Sequence, residues 1–192
     1  MTEIELKARI ENPEKIKARL AELGIHCYSY IKNDTYWEFF EKTYMRLRIR
    51  KEEKTYTDGR SGKTILVTHK TREIHTETEV NNEREFAISD SSIFEEILAE
   101  LGFTQDIKKE KQGWYWELKS STGEAPLSAE LSLVKSLGWF LELEILSDTS
   151  DERNLKQNRS RLLAVLDSLG ISREAIESRP YSELIREQHK NR

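Results

Sequence analysis

Charged and apolar residues alternate along the extended stretches of this chain, and this alternation constrains the fold more than any other feature. In the opening stretch TEIELKARI, Glu3, Glu5 and Lys7 alternate with Ile4 and Leu6. A period of two predicts a β-strand with one apolar face and one charged face. If the charged face lines an enclosed space rather than meeting bulk water, two carboxylates and an ammonium are aligned there for a ligand.

The same alternation recurs in later strands, and within most of them the charges on one face share a sign. The further sets are Arg46, Arg48 and Arg50; Thr68, Lys70 and Arg72; Glu83 and Glu85; Lys109 and Lys111; and Glu142 and Glu144. In one more strand, Glu130 and Ser132 share a face. For any single strand a solvated face is a sufficient explanation. The segregation of signs across the whole set favours an enclosed face, because a solvated face usually mixes signs with Ser and Thr.

Size and composition predict a soluble cytoplasmic protein with one domain over residues 1–192, of which 151–192 form a helical C-terminal part. The charged fraction is 34%, against an average of about 25%. The net charge is only −4, so neither nucleic-acid binding nor a membrane surface is expected. The single cysteine, Cys27, excludes an internal disulfide framework and fits a reducing compartment. The oligomeric state is left open, a homodimer included.

The order of predicted elements favours an α+β fold, an eight-stranded antiparallel β-barrel with helices packed outside. Two helices end in the similar stretches LAELGI and LAELGF, each preceded by a strand with paired glutamates and followed by a long strand. Glycines at 24, 102 and 170 are predicted helix ends. The stretch GRSGKT resembles part of a phosphate-binding loop, but Thr57 occupies the position where that motif needs glycine, so a hairpin turn is predicted there.

The segregated charges also predict the kind of ligand. Like charges two residues apart on a strand lie about 7 Å apart and repel by roughly 2 kcal/mol at an effective dielectric near 20. A hard divalent cation would relieve the carboxylate pairs, and phosphate would relieve the arginines and lysines. A metal-bound polyphosphate meets both demands. Without it, we expect the like charges to remain unrelieved in a desolvated space.

The chain resembles the CYTH superfamily, the triphosphate tunnel metalloenzymes, in motifs that extend over its full length. EIELK matches the Glu-x-Glu-x-Lys signature, and RLRIR, the strand of Lys70, KKEK and LGWFLELE follow in the expected order. The group includes class IV adenylyl cyclases, thiamine triphosphatases and inorganic triphosphatases. The resemblance implies an eight-stranded antiparallel tunnel that binds a small-molecule triphosphate with Mg²⁺ or Mn²⁺.

The resemblance also implies roles for individual residues. The implied metal ligands are Glu3, Glu5, Glu142 and Glu144. The implied phosphate ligands are Lys7, Arg48, Arg50, Lys70, Lys109 and Lys111. Glu5, Lys7 and Glu130 are the predicted catalytic residues. Further candidates for the lumen or its supporting shell are Arg46, Arg72, Glu83, Glu85 and Ser132.

Two departures from the family pattern bear on activity. Ser132 stands where relatives usually carry an aspartate, and Glu130 is a candidate replacement. The stretch DTYWEFFEKTY lacks the His-Pro element that the cyclases tend to carry, which favours a different activity. The leading hypothesis is therefore a metal-dependent triphosphatase that hydrolyses the terminal phosphoanhydride. An adenylyl cyclase that makes cyclic AMP and pyrophosphate is the alternative, and a non-catalytic module that binds polyphosphate or nucleotide is the second alternative.

Overall fold

Eight antiparallel strands close into a barrel in this computed structural model, which confirms the predicted α+β architecture. It describes residues 2–39, 42–75, 78–120, 124–147 and 151–190, without the side chains of 2, 42–45, 70–75 and 78–83. The strands are β1 (Thr2–Ile10), β2 (Gly24–Phe39), β3 (Lys42–Tyr56), β4 (Ser61–His75), β5 (Thr78–Ile88), β6 (Phe103–Leu118), β7 (Leu127–Val134) and β8 (Gly138–Ser147). The helices are α1 (Pro13–Leu23), α2 (Ser91–Glu100), α3 (Glu152–Ser168) and α4 (Tyr181–Lys190), with a 3₁₀ turn at Arg173–Ala175.

The strands neighbour one another in the order β1-β5-β4-β3-β2-β6-β7-β8, and β8 pairs with β1 to complete the ring. Each pair is antiparallel, so a residue and its cross-strand partner point to the same side of the sheet. Within the described ranges, no helix is long and apolar enough to cross a membrane.

The main hydrophobic core lies outside the barrel. The alternating apolar residues of β1, Ile4, Leu6 and Ala8, are at most 1% exposed and pack in one cluster with Leu20 of α1 and Leu162 of α3. A smaller cluster lies beneath α2. Because the apolar strand faces are used on the outside, the alternating charged faces must line the lumen.

The glycines at the helix ends serve two different purposes. Gly102 and Gly170 have φ angles of +86° and +68°, in the left-handed conformation predicted for helix ends. Gly24 instead has an extended backbone and begins β2 directly. A Cβ atom there would lie 2.3 Å from the carbonyl oxygen of Glu117, so glycine is needed for the close approach of β6.

The stretch that resembles a phosphate-binding loop is a turn between two strands, as predicted. β3 ends at Tyr56 and β4 begins at Ser61. The Tyr56 backbone N–H donates to the carbonyl of Arg60 at 2.8 Å, and Gly59 has a φ angle of +86°. No helix follows the turn, so it lacks the helix N-terminus that a phosphate-binding loop of that type requires.

The C-terminal segment, residues 176–190, packs against β1, β6 and β8 of the barrel. Ile176 forms a β-bridge with Ala8 of β1. Tyr181 and Leu184 of α4 pack with Phe140 in a third apolar cluster. This segment therefore lies where it can contribute side chains to the lumen.

Candidate functional site

The register of the strands directs the alternating charges into one cavity of about 300 Å³ inside the barrel. Lys7 of β1 lies opposite Glu142 of β8, and Glu142 lies opposite Glu130 of β7. The predicted site residues that line this cavity are Glu3, Glu5, Lys7, Arg46, Arg48, Arg50, Lys109, Lys111, Glu130, Glu142 and Glu144. Carboxylates and cations from five strands thus meet in a single enclosed space.

Two other predicted site residues, Ser132 and Glu85, do not line the cavity themselves. Ser132 faces inward but is fully buried opposite Phe140 and Gly113, and its hydroxyl has no hydrogen-bond partner among the described residues. It therefore supports the packing behind the cavity rather than lining it. Glu85 reaches the site through Thr68, whose hydroxyl donates to it at 2.8 Å. The side chains of Lys70, Arg72 and Glu83 lie outside the described residues.

Strand β2 contributes residues that the sequence analysis missed. Tyr30, Lys32, Asp34 and Tyr36 alternate along it on the inward face. Lys32 and Tyr36 line the cavity, while Tyr30 and Asp34 bond to groups that line it. The alternation test that identified β3 and β6 finds these four residues when it is applied to the stretch YIKNDTY. No comparable pattern marks Tyr181, which enters the cavity from α4.

A buried ionic cluster is centred on Glu130. Its carboxylate accepts hydrogen bonds from Lys32 Nζ at 2.5 Å, Lys111 Nζ at 2.8 Å and Tyr30 Oη at 2.8 Å. Lys111 also donates to Glu142. Burial opposes ionisation of both glutamates, but the lysine charges prevail. They hold the pKa of Glu130 well below its usual range and lower the pKa of Glu142 to about 2.

The two lysines of this cluster differ. Burial lowers the pKa of Lys32, which also lies near the charges of Arg50 and Lys111. For Lys111, burial is outweighed by the two glutamates, which raise its pKa well above the ordinary value. Lys111 is therefore the more firmly protonated of the two lysines.

A second cluster is centred on Asp34, whose side chain is fully buried. Arg50 donates to both of its carboxylate oxygens, at 2.8 and 3.0 Å, and Lys109 Nζ lies 3.0 Å from it. Despite burial, these two cations hold the pKa of Asp34 well below its usual range. The expectation of unrelieved repulsion in an empty lumen is wrong for the cations of both clusters. The carboxylate of Asp34 on β2 neutralises those of the second cluster, and carboxylates of β7 and β8 neutralise those of the first.

The two other arginines that line the cavity, Arg46 and Arg48, are not part of a fully buried ion pair among the described side chains. Arg48 donates to Thr68 Oγ1 at 3.0 Å and lies 3.7 Å from Glu85. Arg46 pairs with Glu38 and is 40% exposed. A phosphate group could therefore approach these guanidinium groups without breaking a fully buried ion pair.

The carboxylates of β1 and β8 fit a divalent cation by their chemistry and placement. Glu5 lies directly opposite Glu144, and both line the cavity with Glu3 and Glu142. Like charges opposite each other on paired strands destabilise a sheet, and oxygen donors of this kind suit Mg²⁺ or Mn²⁺. Across the described side chains, no three acidic, His or Cys groups are gathered at metal-binding distance. Glu142 is paired with Lys111, so a cation bound by this carboxylate would compete with that lysine.

The C-terminal segment contacts the cationic side of the lumen. Lys7 Nζ donates to the carbonyl of Arg179 at 2.6 Å. The ring of Tyr181 lies 4.6, 4.8 and 5.8 Å from the ammonium groups of Lys7, Lys109 and Lys111. Burial, and then the charge of Glu142, raise the pKa of Tyr181 well above its ordinary value, so its hydroxyl stays protonated.

An aromatic cluster lies where β2, β3 and β6 meet. Tyr115 lines the cavity and stacks on Tyr28, with ring centroids 4.7 Å apart. Tyr56 meets Tyr28 edge-on at 5.5 Å and is 37% exposed. The cluster offers aromatic ring faces beside the cavity.

The CYTH domain family model matches residues 1–181. The chain belongs to the CYTH family. It is 29% identical to a Methanocaldococcus jannaschii protein named as a candidate adenylate cyclase, with 96% of this chain and 98% of that protein covered. The structure of PH1819 from Pyrococcus horikoshii is 26% identical, with a TM-score of 0.78 and coverage of 97% and 99%. Both alignments cover almost the entire chain.

A more distant solved structure shares the fold. It comes from Hippeastrum and is described as a candidate adenylyl cyclase with a dominant triphosphatase activity. It is 14% identical, with a TM-score of 0.57 and coverage of 92% of this chain and 90% of that one. The descriptions of the Methanocaldococcus jannaschii protein and of the Hippeastrum protein thus name an adenylate cyclase and a triphosphatase activity.

Proposed function

We propose that this protein is a metal-dependent triphosphatase that binds an inorganic or organic triphosphate in the lumen and hydrolyses its terminal phosphoanhydride bond. The observation that carries the proposal is the meeting of two opposite charge sets in one cavity, with Lys111 between Glu130 and Glu142. Phosphate oxygens suit the cations and a divalent cation suits the carboxylates. Few ligands other than a metal-bound polyphosphate satisfy both sets together.

The cations bind and orient the phosphate chain in this proposal. Arg48 and Arg50 present guanidinium forks, while Lys7, Lys109 and Lys111 act as point charges on the phosphate oxygens. We also assign Lys70 to this set, as the family pattern implies. By spreading positive charge along the chain, these groups stabilise the charge that develops when water attacks in line.

The carboxylates take two roles. Glu3, Glu5, Glu142 and Glu144 would hold Mg²⁺ or Mn²⁺, which supplies charge neutralisation and an activated water when bound. Glu130 is a poor proton acceptor near neutral pH because Lys111 and Lys32 hold its pKa so low. We therefore assign Glu130 to positioning these two lysines, which takes the place of the catalytic role predicted from the sequence.

An adenylyl cyclase is the second candidate, and the aromatic cluster favours it. A nucleotide in the lumen could place its base against Tyr115, which lines the cavity and stacks on Tyr28. In that reaction the ribose 3′-hydroxyl attacks the α-phosphate and pyrophosphate leaves. The name of the Methanocaldococcus jannaschii relative supports the same candidate.

A product assay tests the proposal. The protein is incubated separately with inorganic triphosphate, thiamine triphosphate and ATP, with Mg²⁺ or Mn²⁺ and with chelator as the control. We expect metal-dependent release of orthophosphate from at least one of them. Cyclic AMP as the main product from ATP would establish the cyclase instead. Binding without any product would leave only the non-catalytic module.

A further inference from the structure

Helix α4 begins inside the lumen. Pro180, Tyr181 and Ser182 line the cavity, and Tyr181 and Ser182 are each 7% exposed. The far part of the helix is tied to the barrel, since Arg186 donates to Asp106 at 3.2 Å and to Glu38 at 2.7 Å. The first turn of an α-helix carries backbone N–H groups without acceptors in the helix and a partial positive charge. The start of α4 therefore adds to the positive potential at this end of the cavity.

Within the described part of the chain, the hydroxyl of Tyr181 is an unpartnered polar group at the start of this helix. Its oxygen is buried, and none of the described residues forms a hydrogen bond with it. The ring is held edge-on against Phe140, with centroids 5.0 Å apart at 89°. A buried polar group without a partner is costly, and such a group commonly marks a place that a ligand or water completes.

The groups around the ring of Tyr181 indicate the chemistry of the missing partner. The ammonium groups of Lys7, Lys109 and Lys111 surround the same ring within 5.8 Å of its centroid. An ammonium group has no acceptor, and a protonated phenol that donates needs an acceptor of its own. A group with several acceptor oxygens on one atom, such as the end of a polyphosphate, could accept from the hydroxyl and from the ammonium groups beside its ring.

We infer that Tyr181 and the start of α4 form an anion subsite for one end of the polyphosphate chain, with the Tyr181 hydroxyl donating to a terminal phosphate oxygen. This inference rests on the proposed function and makes Tyr181 a substrate-binding residue. The C-terminal segment thereby becomes part of the binding site rather than a support packed against the barrel.

The substitution Tyr181→Phe tests the subsite, because it keeps the ring against Phe140 and the lysines and removes only the hydroxyl. Binding of imidotriphosphate, a non-hydrolysable analogue of inorganic triphosphate, is measured by calorimetry with Mg²⁺. We expect a Kd at least about tenfold higher than that of the wild type, since a hydrogen bond to a charged group is lost. Tyr56→Phe removes the same atom from a tyrosine that does not line the cavity, and it should leave the Kd of this analogue, which has no base, unchanged.

The stability of the ligand-free variant gives the second readout. Because the hydroxyl has no partner, its removal should leave the Tm unchanged or raise it by up to about 4 °C. If Tyr181→Phe binds the analogue with the wild-type Kd, or if its Tm falls by several degrees, the inference about Tyr181 is overturned and the proposed function still stands. Failure of the wild-type protein to bind the analogue would overturn both the inference and the proposed function.

Discussion

At the scale of single residues, Asp34 illustrates how a buried carboxylate arranges the lumen. Its two oxygens accept from Arg50, and Lys109 lies 3.0 Å away. The charges of these three groups are removed from water, which is costly, but their geometry is fixed before any ligand arrives. Asp34 thus orients two cations that we assign to phosphate binding.

Replacing Asp34 with asparagine should destabilise the ligand-free protein by about 3–5 kcal/mol, because two buried cations lose their counter-charge. Urea denaturation of the variant and the wild type measures this difference. Asp58→Asn, in the exposed turn beside Arg60, is the matched control and should change stability by less than about 0.5 kcal/mol. Equal losses in the two variants would show that Asp34 does not hold the lumen cations.

Replacing Glu5 with glutamine should abolish metal-dependent turnover while the fold survives, because the amide keeps the shape of the side chain and loses its charge. Turnover is followed by phosphate release over a range of Mg²⁺ concentrations, and the fold by circular dichroism. Glu53→Gln, which alters an exposed glutamate paired with Lys63 on the outer face, should behave as the wild type. If Glu5→Gln turns over at the wild-type rate at saturating metal, Glu5 is not a metal ligand.

At the scale of secondary-structure elements, the side chains that face the lumen could be predicted where they follow a local repeat in the sequence. They could not be predicted where their position depends on tertiary packing. The alternation in β1, β3, β6 and β8 predicted which side chains face inward, because a strand has a fixed period of two. The same period in β2 carries Lys32 and Asp34. The entry of α4 into the lumen has no such signal, because Tyr181 reaches it through a turn and a helix. Ser132 shows that an inward face does not ensure access to the cavity.

The C-terminal segment makes a pH-dependent contribution to stability through Glu177. This carboxylate accepts from Arg179 at 2.7 Å and from Arg9 at 2.9 Å. The hydrogen bond from Arg179, supported by Arg9 and opposed by burial, lowers the pKa of Glu177 to about 2 from an ordinary value of 4.5. A lowered pKa stabilises the fold above the ordinary value and is lost as the pH falls towards the lowered one.

The Tm of Glu177→Gln should therefore lie below that of the wild type at pH 7, and the gap should narrow as the pH falls from about 5 to about 3. Thermal unfolding of both proteins across this range measures the gap. Glu174→Gln, on the exposed 3₁₀ turn, is the control and should track the wild type throughout. A gap that is constant with pH would mean that Glu177 acts through packing and not through its charge.

At the scale of the whole molecule, the barrel encloses charges of both signs while its apolar faces form the core outside. A ligand that binds only the folded state adds about 2.7 kcal/mol of stability at one hundred times its Kd. Inorganic triphosphate with Mg²⁺ should therefore raise the Tm by about 5–10 °C, and orthophosphate at equal ionic strength by much less. Arg48→Ala should reduce the shift, with Arg60→Ala in the exposed turn as control. Equal shifts for the two anions would indicate a general salt effect.

The central claim is that a metal-bound triphosphate occupies the lumen, and anomalous diffraction from crystals grown with Mn²⁺ and imidotriphosphate tests it most directly. We predict a manganese peak among Glu3, Glu5, Glu142 and Glu144, with phosphate density extending towards Lys7, Arg48 and Lys111. Manganese and phosphate density confined to the outer surface of the barrel, with the lumen still closed by its own ion pairs, would contradict it.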